Sequence, residues 1–179
     1  MEDWRGKRYW IVGASEGLGA ALAREMSNAG VELVLSSRSK GQLEKVAKTL
    51  SVPCKILQCD VSDPKSVQVA LNTVGLIDGI VFMPAVYWPI PADKWDIDKA
   101  LEMADVNFMG AFRVLGPIIK EFVRRDRGHL VITGSVVEPR GLPTSFGYTS
   151  SKVGLVSLAG CIYIDLKSTN VRVQLVKPG

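Results

Sequence analysis

A tyrosine and a lysine four residues apart are the residues of this sequence best suited to proton chemistry. Tyr148 and Lys152 lie near the start of a predicted helix, so both side chains project from the same face. An ammonium group beside a phenol favours the phenolate, and a phenol that gives up and regains a proton is a general acid and base. Lys152 is also placed to donate hydrogen bonds to a bound ligand. The alternative is an ordinary, solvated helix start.

A serine before this helix supplies a second polar group. Ser135 lies thirteen residues before Tyr148 and just after a predicted strand. Its hydroxyl would hold a substrate oxygen by hydrogen bonding. The three residues together suit the transfer of a proton to or from an alcohol or a carbonyl.

Three glycines in a short turn indicate a site for phosphate. Gly13, Gly17 and Gly19 connect the first predicted strand to the first helix, in a turn that also contains Ser15 and Leu18. Glycines allow a sharp turn and a close approach of pyrophosphate to the backbone, and the helix N-terminus attracts negative charge. The alternative is a turn that binds nothing. Its position on the first strand favours a dinucleotide.

Residues after the second and third strands bear on which dinucleotide would bind. Ser37 and Arg38 follow the second strand, where an arginine accommodates a 2′-phosphate and an acidic residue would select NAD. They favour NADP(H), with NAD(H) as the alternative. Asp60 would hydrogen-bond the adenine amino group while Val61 packs on the ring. The competing interpretations are a surface arginine and an aspartate that caps its own turn.

The chain alternates between predicted strands and predicted helices, which position these residues. The six strands are Tyr9–Val12, Val31–Leu35, Cys54–Cys59, Ile80–Met83, Leu130–Thr133 and Val171–Val176. The helices are Leu18–Ala29, Lys40–Leu50, Pro64–Asn72, Ile97–Arg125 and Ser145–Lys167. Apolar strands separated by helices predict an α/β fold, a doubly wound parallel sheet (Rossmann fold) in the order 3-2-1-4-5-6 with helices on both faces. We expect a single domain over residues 1–179, with ligands at the carboxyl ends of its strands.

An asparagine interrupts the longest predicted helix. Asn107 is a poor helix former at an interior position. One arrangement links it through water to Lys152, and the alternative is an asparagine that fixes a helix bend. The bend itself is predicted near Gly110 or Pro117.

The composition excludes several classes of protein. The 179 residues are 47% hydrophobic with a net charge of +4 that is scattered along the chain, so we expect no nucleic-acid partner. No apolar run reaches the length of a membrane span, and the charged N-terminus is unlike a signal peptide. One histidine and three cysteines without close pairing predict no metal site. These features are typical of a soluble, cytoplasmic protein.

Taken together, these residues resemble the short-chain dehydrogenase/reductase family in its single-domain form. The resemblance rests on the glycine turn, Asp60, Asn107, Ser135, the Tyr148-x3-Lys152 pair and the final Pro178-Gly179. It implies that Tyr148 is the general acid/base, that Lys152 binds ribose and favours the ionised tyrosine, that Ser135 orients the substrate and that Asn107 sustains a proton relay. It also implies cofactor contacts by Pro178 and Gly179, and a homodimer or homotetramer formed through the long helices.

The sequence departs from the family pattern at three places and in length. Val12 replaces a threonine before the first glycine, and Phe82-Met83-Pro84-Ala85 replaces the usual Asn-Asn-Ala-Gly after the fourth strand. Gly134 replaces the first serine of a common pair. Relatives continue for several tens of residues into a substrate lid and a seventh strand, so we expect this chain to be part of a longer polypeptide.

The function predicted from these residues is an NAD(P)-dependent oxidoreductase that interconverts an alcohol and a small-molecule carbonyl substrate. A catalytically idle or regulatory dinucleotide-binding protein is the alternative that the Phe82–Ala85 segment leaves open. A sugar-nucleotide epimerase shares the tyrosine and lysine but suits another glycine spacing. The expected mouth of the substrate site is apolar except for two charged residues, which indicates an apolar or aromatic substrate. Its residues are Tyr87, Trp88, Pro89, Ile90, Val137, Leu142, Pro143 and Phe146, with the charged Glu138 and Arg140.

Overall fold

A six-stranded parallel sheet forms the centre of the molecule. The computed structural model describes residues 4–137 and 141–178. The strands are β1 (Arg8–Val12), β2 (Glu32–Ser36), β3 (Cys54–Ile56), β4 (Gly79–Phe82), β5 (Gly128–Thr133) and β6 (Val171–Val176). They are hydrogen-bonded in the order β3-β2-β1-β4-β5-β6, and every pairing is parallel. The predicted fold class and strand order are confirmed.

Six α-helices connect the strands. They are α1 (Gly17–Asn28), α2 (Lys40–Ala47), α3 (Pro64–Val74), α4 (Ile97–Ala104), α5 (Gly110–Arg124) and α6 (Phe146–Leu166) among the described residues. Local sequence accounts for several ends: Asp63 caps α3 through the Lys65 N–H with Pro64 in the first turn, and Gly30 adopts a φ of +80° after α1. No helix in these residues is both long and apolar enough to cross a membrane.

The two faces of the sheet build two hydrophobic cores. Trp10 and Val12 of β1 pack with α3, α5 and α6, whereas Tyr9 and Ile11 of the same strand pack with α1 and α2. This alternation follows from the two-residue period of a strand. The Trp10 indole N–H remains satisfied in the core because it donates to Ser36 Oγ at 2.8 Å.

The long helix predicted over 97–125 is not continuous. It is interrupted by a π-helical turn at Asp105–Met109, before the predicted bend sites at Gly110 and Pro117. The Gly110 N–H donates to the Asp105 carbonyl five residues back, and a Cβ at Gly110 would lie 2.8 Å from Val61 Cγ2. The turn therefore brings the helix backbone against Val61, in the loop between β3 and α3, a contact that sequence periodicity cannot reveal.

Two predicted elements are too long. The second helix ends at Ala47 instead of Leu50, because the Thr49 hydroxyl and N–H both bond to the Val46 carbonyl. The third strand ends at Ile56 instead of Cys59, although Cys59 N–H still donates to the Ser37 carbonyl.

Candidate functional site

A cleft of about 410 Å³ opens at the carboxyl ends of the strands. It brings together most of the residues predicted from the sequence, namely Gly13, Ser15, Leu18, Gly19, Ser37, Arg38, Val61, Ser135, Tyr148, Lys152 and Pro178. Gly17, Asp60 and Asn107 do not line it. Gly179 lies outside the described residues.

The glycine turn is fixed to the end of the neighbouring strand. The N–H groups of Gly13 and Ala14 both donate to the Ser36 carbonyl, at 2.8 and 3.0 Å. Gly13 has a φ of +93°, and a Cβ at Gly19 would overlap the Gly13 carbonyl oxygen. Only glycine therefore fits at these two positions.

The N-terminus of α1 faces this cleft without a side-chain cap. Glu16 occupies the cap position in an extended conformation, and its carboxylate bonds to no N–H of the first turn. Gly17 begins the helix with a φ of +52°, a conformation that favours glycine. The backbone therefore explains this glycine, although it does not line the cleft. The uncapped N–H groups can donate hydrogen bonds to a phosphate here, and the helix dipole favours its negative charge.

Lys152 is a buried cation at the inner end of the cleft. Its side chain is 2% exposed, and Nζ donates to the Thr133 carbonyl at 3.1 Å. Nζ lies 5.8 Å from the centre of the Tyr148 ring. Desolvation lowers the pKa of Lys152 to about 8, so the ammonium form still predominates at neutral pH. Among the described residues Thr133 is its one hydrogen-bond acceptor, which leaves two ammonium N–H groups for a ligand.

Ser135 and Tyr148 both present hydroxyl groups at the cleft. Ser135 is buried, and its Oγ accepts a hydrogen bond from the Val137 N–H at 3.3 Å, so its proton is available to a ligand oxygen. Tyr148 is partly buried, and the Tyr87 ring packs edge-on against it with the centroids 5.2 Å apart. Phenol, hydroxyl and ammonium groups thus line one cleft.

Asn107 is fully buried beneath the cleft in the π-helical turn. Its side chain accepts from the Val86 N–H at 2.7 Å and donates to the Val86 carbonyl at 2.9 Å and to Ser151 Oγ at 3.1 Å. These bonds use both amide N–H groups and clamp the side chain to the chain after β4. The water link to Lys152 stays a prediction.

Asp60 caps its own turn. Its Oδ1 accepts from the Ser62 N–H at 2.9 Å and from the Ser62 hydroxyl at 2.6 Å. Asp60 thus makes the local bonds of the alternative interpretation, and Val61 beside it lines the cleft.

Arg38 lies at the outer end of the cleft and is half exposed. Its Nη1 is 3.5 Å from Glu102 Oε1 of α4. Ser37 lines the cleft beside it and donates through Oγ to the Ser39 carbonyl at 3.3 Å. An arginine and a serine thus lie at this end of the cleft, and both can donate hydrogen bonds to a phosphate.

The segment that departs from the family pattern forms an apolar part of the wall. Met83, Pro84 and Ala85 line the cleft, and a Cβ at Gly13 would lie 2.9 Å from Pro84 N. The Met83 N–H donates to the Val12 carbonyl at 3.0 Å, so the segment continues from the β4 edge despite its changed sequence.

Comparison with known proteins places this geometry in a family. The family model described as short chain dehydrogenase matches residues 7–179. The chain belongs to the short-chain dehydrogenase/reductase family. Membership makes the protein an oxidoreductase that works with a nicotinamide dinucleotide, which confirms the coarse activity predicted from the sequence.

Three similar proteins share between a quarter and a third of their aligned residues with this short-chain dehydrogenase/reductase. An uncharacterized oxidoreductase of Staphylococcus epidermidis is 26% identical over 173 residues, which cover 94% of this chain and 75% of that protein. A dehydrogenase/reductase SDR family protein 7-like from Anopheles gambiae is 31% identical over 186 residues, covering 97% of this chain and 59% of that one. A solved metagenomic short-chain oxidoreductase in complex with NADP is 26% identical, with a TM-score of 0.91 over 99% of this chain and 84% of that chain.

Sequence reasoning missed several groups of this short-chain dehydrogenase/reductase site. The Thr133 carbonyl holds Lys152, the Val86 backbone holds Asn107, and Glu102 faces Arg38. Backbone carbonyls carry no sequence signal. The position of Thr133 at the end of a strand was the one available indication, because such ends meet at the ligand edge of the sheet.

Proposed function

We propose that this protein is an NADP(H)-preferring oxidoreductase that interconverts an alcohol and a carbonyl, with Tyr148, Lys152, Ser135 and Asn107 as its site. The observation that carries the proposal is a single cleft lined by the glycine turn at one wall and by Ser135, Tyr148 and Lys152 at the inner end. A phosphate site and a proton-transfer site in one cleft suit a bound dinucleotide and a second, smaller substrate.

The residues present fit the dinucleotide. The turn at Gly13 and Gly19 has no room for side chains, and the first turn of α1 lacks a side-chain cap, so these groups would hold the pyrophosphate. Val61 would pack on the adenine, and Arg38 with Ser37 would bind a 2′-phosphate. The two free N–H groups of Lys152 would hold the ribose next to the nicotinamide. When bound, the cofactor supplies or accepts the hydride.

The chain's own residues handle the proton. The Ser135 hydroxyl, whose oxygen already accepts from the Val137 N–H, would donate to the substrate oxygen and hold it beside the Tyr148 phenol. In the reductive direction Tyr148 gives its proton to that oxygen, and in the oxidative direction it takes the proton back. The buried ammonium of Lys152 stabilises the negative charge left on Tyr148.

Asn107 serves this proposal as a positioning group. Its amide bonds to both backbone groups of Val86, which fixes the chain that leads from β4 to Tyr87 and on to the Tyr148 ring. Its main-chain carbonyl lies in a π-helical turn, a backbone distortion common at functional sites. By the family resemblance we assign to Asn107 a part in the relay that reprotonates the site.

An aromatic surface near Tyr148 favours apolar or aromatic substrates. Trp95 stacks on Phe146 with centroids 4.1 Å apart, and Tyr87 packs against Tyr148 itself. Trp95 and Leu142 are more than half exposed. Such a surface would bind an apolar carbonyl compound through its hydrocarbon part. Glu138 and Arg140, which we expected at the same mouth, lie outside the described residues.

Loss of the Tyr148 hydroxyl tests the proposed function. NADPH oxidation is measured against a panel of aromatic ketones and aldehydes, with wild type, Tyr148→Phe and the exposed Tyr163→Phe of the same helix as control. We expect Tyr148→Phe to lower kcat about 10²–10⁴-fold and the control to match wild type. Equal turnover by Tyr148→Phe would remove the tyrosine from the mechanism. Tight NADPH binding without turnover of any carbonyl would favour the regulatory alternative.

Reversal of charge at Arg38 tests the cofactor preference. We expect Arg38→Asp to weaken NADPH binding at least about tenfold and to leave NADH binding nearly unchanged, because only NADPH places a phosphate there. The dissociation constants are measured by fluorescence titration with both dinucleotides. An unchanged constant for NADPH would exclude Arg38 from the 2′-phosphate site.

A further inference from the structure

A carboxylate stands opposite the arginine that we assign to the 2′-phosphate. Glu102 lies in α4, one helical turn before Val106, which lines the cleft together with Arg38. Glu102 Oε1 is 3.5 Å from Arg38 Nη1, although the two residues are 64 positions apart in sequence. The guanidinium therefore already has a partner at the place where a phosphate would bind.

This carboxylate is held in its orientation by the loop that follows β4. The Trp88 indole N–H donates to Glu102 Oε2 at 2.7 Å, which leaves Oε1 facing Arg38. The Trp88 main-chain N–H points to Met103 Sδ at 3.4 Å, so the loop is attached to α4 at two adjacent residues. A surface glutamate without such a bond would turn into solvent freely, whereas this one loses the indole bond if it rotates away.

We infer that Glu102 is a specificity-determining residue for the cofactor, one that competes with the 2′-phosphate for Arg38 and so limits the preference for NADP(H) over NAD(H). The inference rests on the proposed function. A 2′-phosphate that binds Arg38 must displace the Glu102 carboxylate from the guanidinium, so part of the binding free energy is lost with the ion pair. NAD(H) carries a neutral hydroxyl at the same position and does not need to displace the carboxylate.

The size of the effect follows from the exposure of the pair. The two side chains are 56% and 36% exposed, and ion pairs in such surroundings are weak. We therefore expect removal of the charge to tighten NADPH binding about three- to tenfold and to change NADH binding less than about twofold. The difference should shrink as ionic strength rises from about 0.05 to 0.5 M, because salt screens exposed charges.

The test is a binding experiment on wild type, Glu102→Gln and a charge-matched control. Dissociation constants are measured by calorimetry for NADPH, NADH and adenosine 2′,5′-bisphosphate, which carries the 2′-phosphate without a nicotinamide. Glu121→Gln removes the same charge from the end of α5. Glu121 pairs there with Arg125, which donates to the Ile77 carbonyl, away from the cleft. We expect Glu102→Gln alone to tighten binding of the two 2′-phosphorylated ligands.

The outcomes separate this inference from the function on which it rests. If wild type binds neither dinucleotide, the proposed function fails and the inference fails with it. If both dinucleotides bind but Glu102→Gln leaves their affinity ratio unchanged, or shifts it no more than Glu121→Gln does, only the inference is overturned.

A double-mutant cycle with Arg38→Ala tests the competition itself. Without the arginine there is nothing for carboxylate and phosphate to compete for, so Glu102→Gln in this background should no longer change the affinity for adenosine 2′,5′-bisphosphate. The same gain in both backgrounds would show direct repulsion by the carboxylate and overturn the competition. Circular dichroism of each variant verifies that the fold is retained.

Discussion

At the scale of single residues, the site depends on a lysine that is charged although it is buried. Lys152 donates one hydrogen bond to a backbone carbonyl and has no carboxylate partner in the part of the chain that the structure describes. Its environment therefore opposes the charge that the proposed mechanism needs, and a pKa of about 8 is the result. A bound cofactor with its phosphates, or an ionised tyrosine, would favour the charged form.

This lysine predicts a distinct pH dependence of stability. Its pKa is about 8 in the folded protein and 10.5 in the unfolded chain, so between these values the unfolded state binds more protons. The free energy of unfolding should therefore rise with pH across this window, by on the order of 3 kcal/mol in full. Lys152→Met should lack this rise, as measured by urea unfolding at several pH values between 7 and 10.5.

The free energies of unfolding of wild type and Lys152→Met must be compared at each pH, because a second buried group also titrates in this range. Burial raises the pKa of Cys59 from 9.0 to about 11, which favours the unfolded state as pH rises above 9 in wild type and variant alike. The difference between the proteins isolates Lys152. Parallel curves over the whole range would contradict the assignment of a desolvated ammonium.

At the scale of elements, close contact between the first turn and its neighbours sets the shape of the cleft. Gly13 bonds to the end of β2, packs against Pro84 after β4 and leaves no space for a side chain at Gly19. The π-helical turn between α4 and α5 plays the same part on the other side, where Gly110 packs on Val61. These close contacts hold the two walls of the cleft at a fixed separation.

A pair of glycine substitutions tests this packing. Gly19→Ala places a methyl group on the Gly13 carbonyl and should cost about 3 kcal/mol of unfolding free energy and abolish NADPH binding. Gly116→Ala is the control, because a Cβ there meets nothing within 4 Å. Alanine is a better helix former than glycine, so this substitution should stabilise α5 by up to about 1 kcal/mol. Urea unfolding gives the stability of both variants, and fluorescence titration gives their affinity for NADPH. Wild-type stability in Gly19→Ala would show that the turn can relax.

At the scale of the whole molecule, the long helices leave apolar side chains uncovered. Leu101, Met109 and Phe112 on the α4–α5 stretch, and Val153 and Ile164 on α6, are each more than two-fifths exposed. Helix α6 is apolar around most of its circumference, and such a helix is normally covered on all sides. This pattern supports the predicted homodimer or homotetramer, which remains a prediction.

A charge on this surface tests the assembly. We expect wild type to elute as a dimer or tetramer and Phe112→Glu to shift towards the monomer, because a carboxylate in an apolar interface is costly to desolvate. Light scattering coupled to size-exclusion chromatography gives the mass. Val69→Glu on α3, where the valine is 62% exposed, is the control. A monomeric wild type would refute the assembly.

The strand order followed from the usual order of a doubly wound sheet. The sequence by itself determined most of the strand and helix segments, the position of the glycine turn and the four-residue spacing of Tyr148 and Lys152. These features depend on short-range patterns: apolar runs, caps, glycines and a four-residue helical spacing. Tertiary structure alone decided the π-helical turn, the clamp of Asn107 on Val86 and the pairing of Arg38 with Glu102. The partners in those pairs lie 21 and 64 residues apart, and their meeting depends on how helices pack on the sheet. No local pattern encodes that packing.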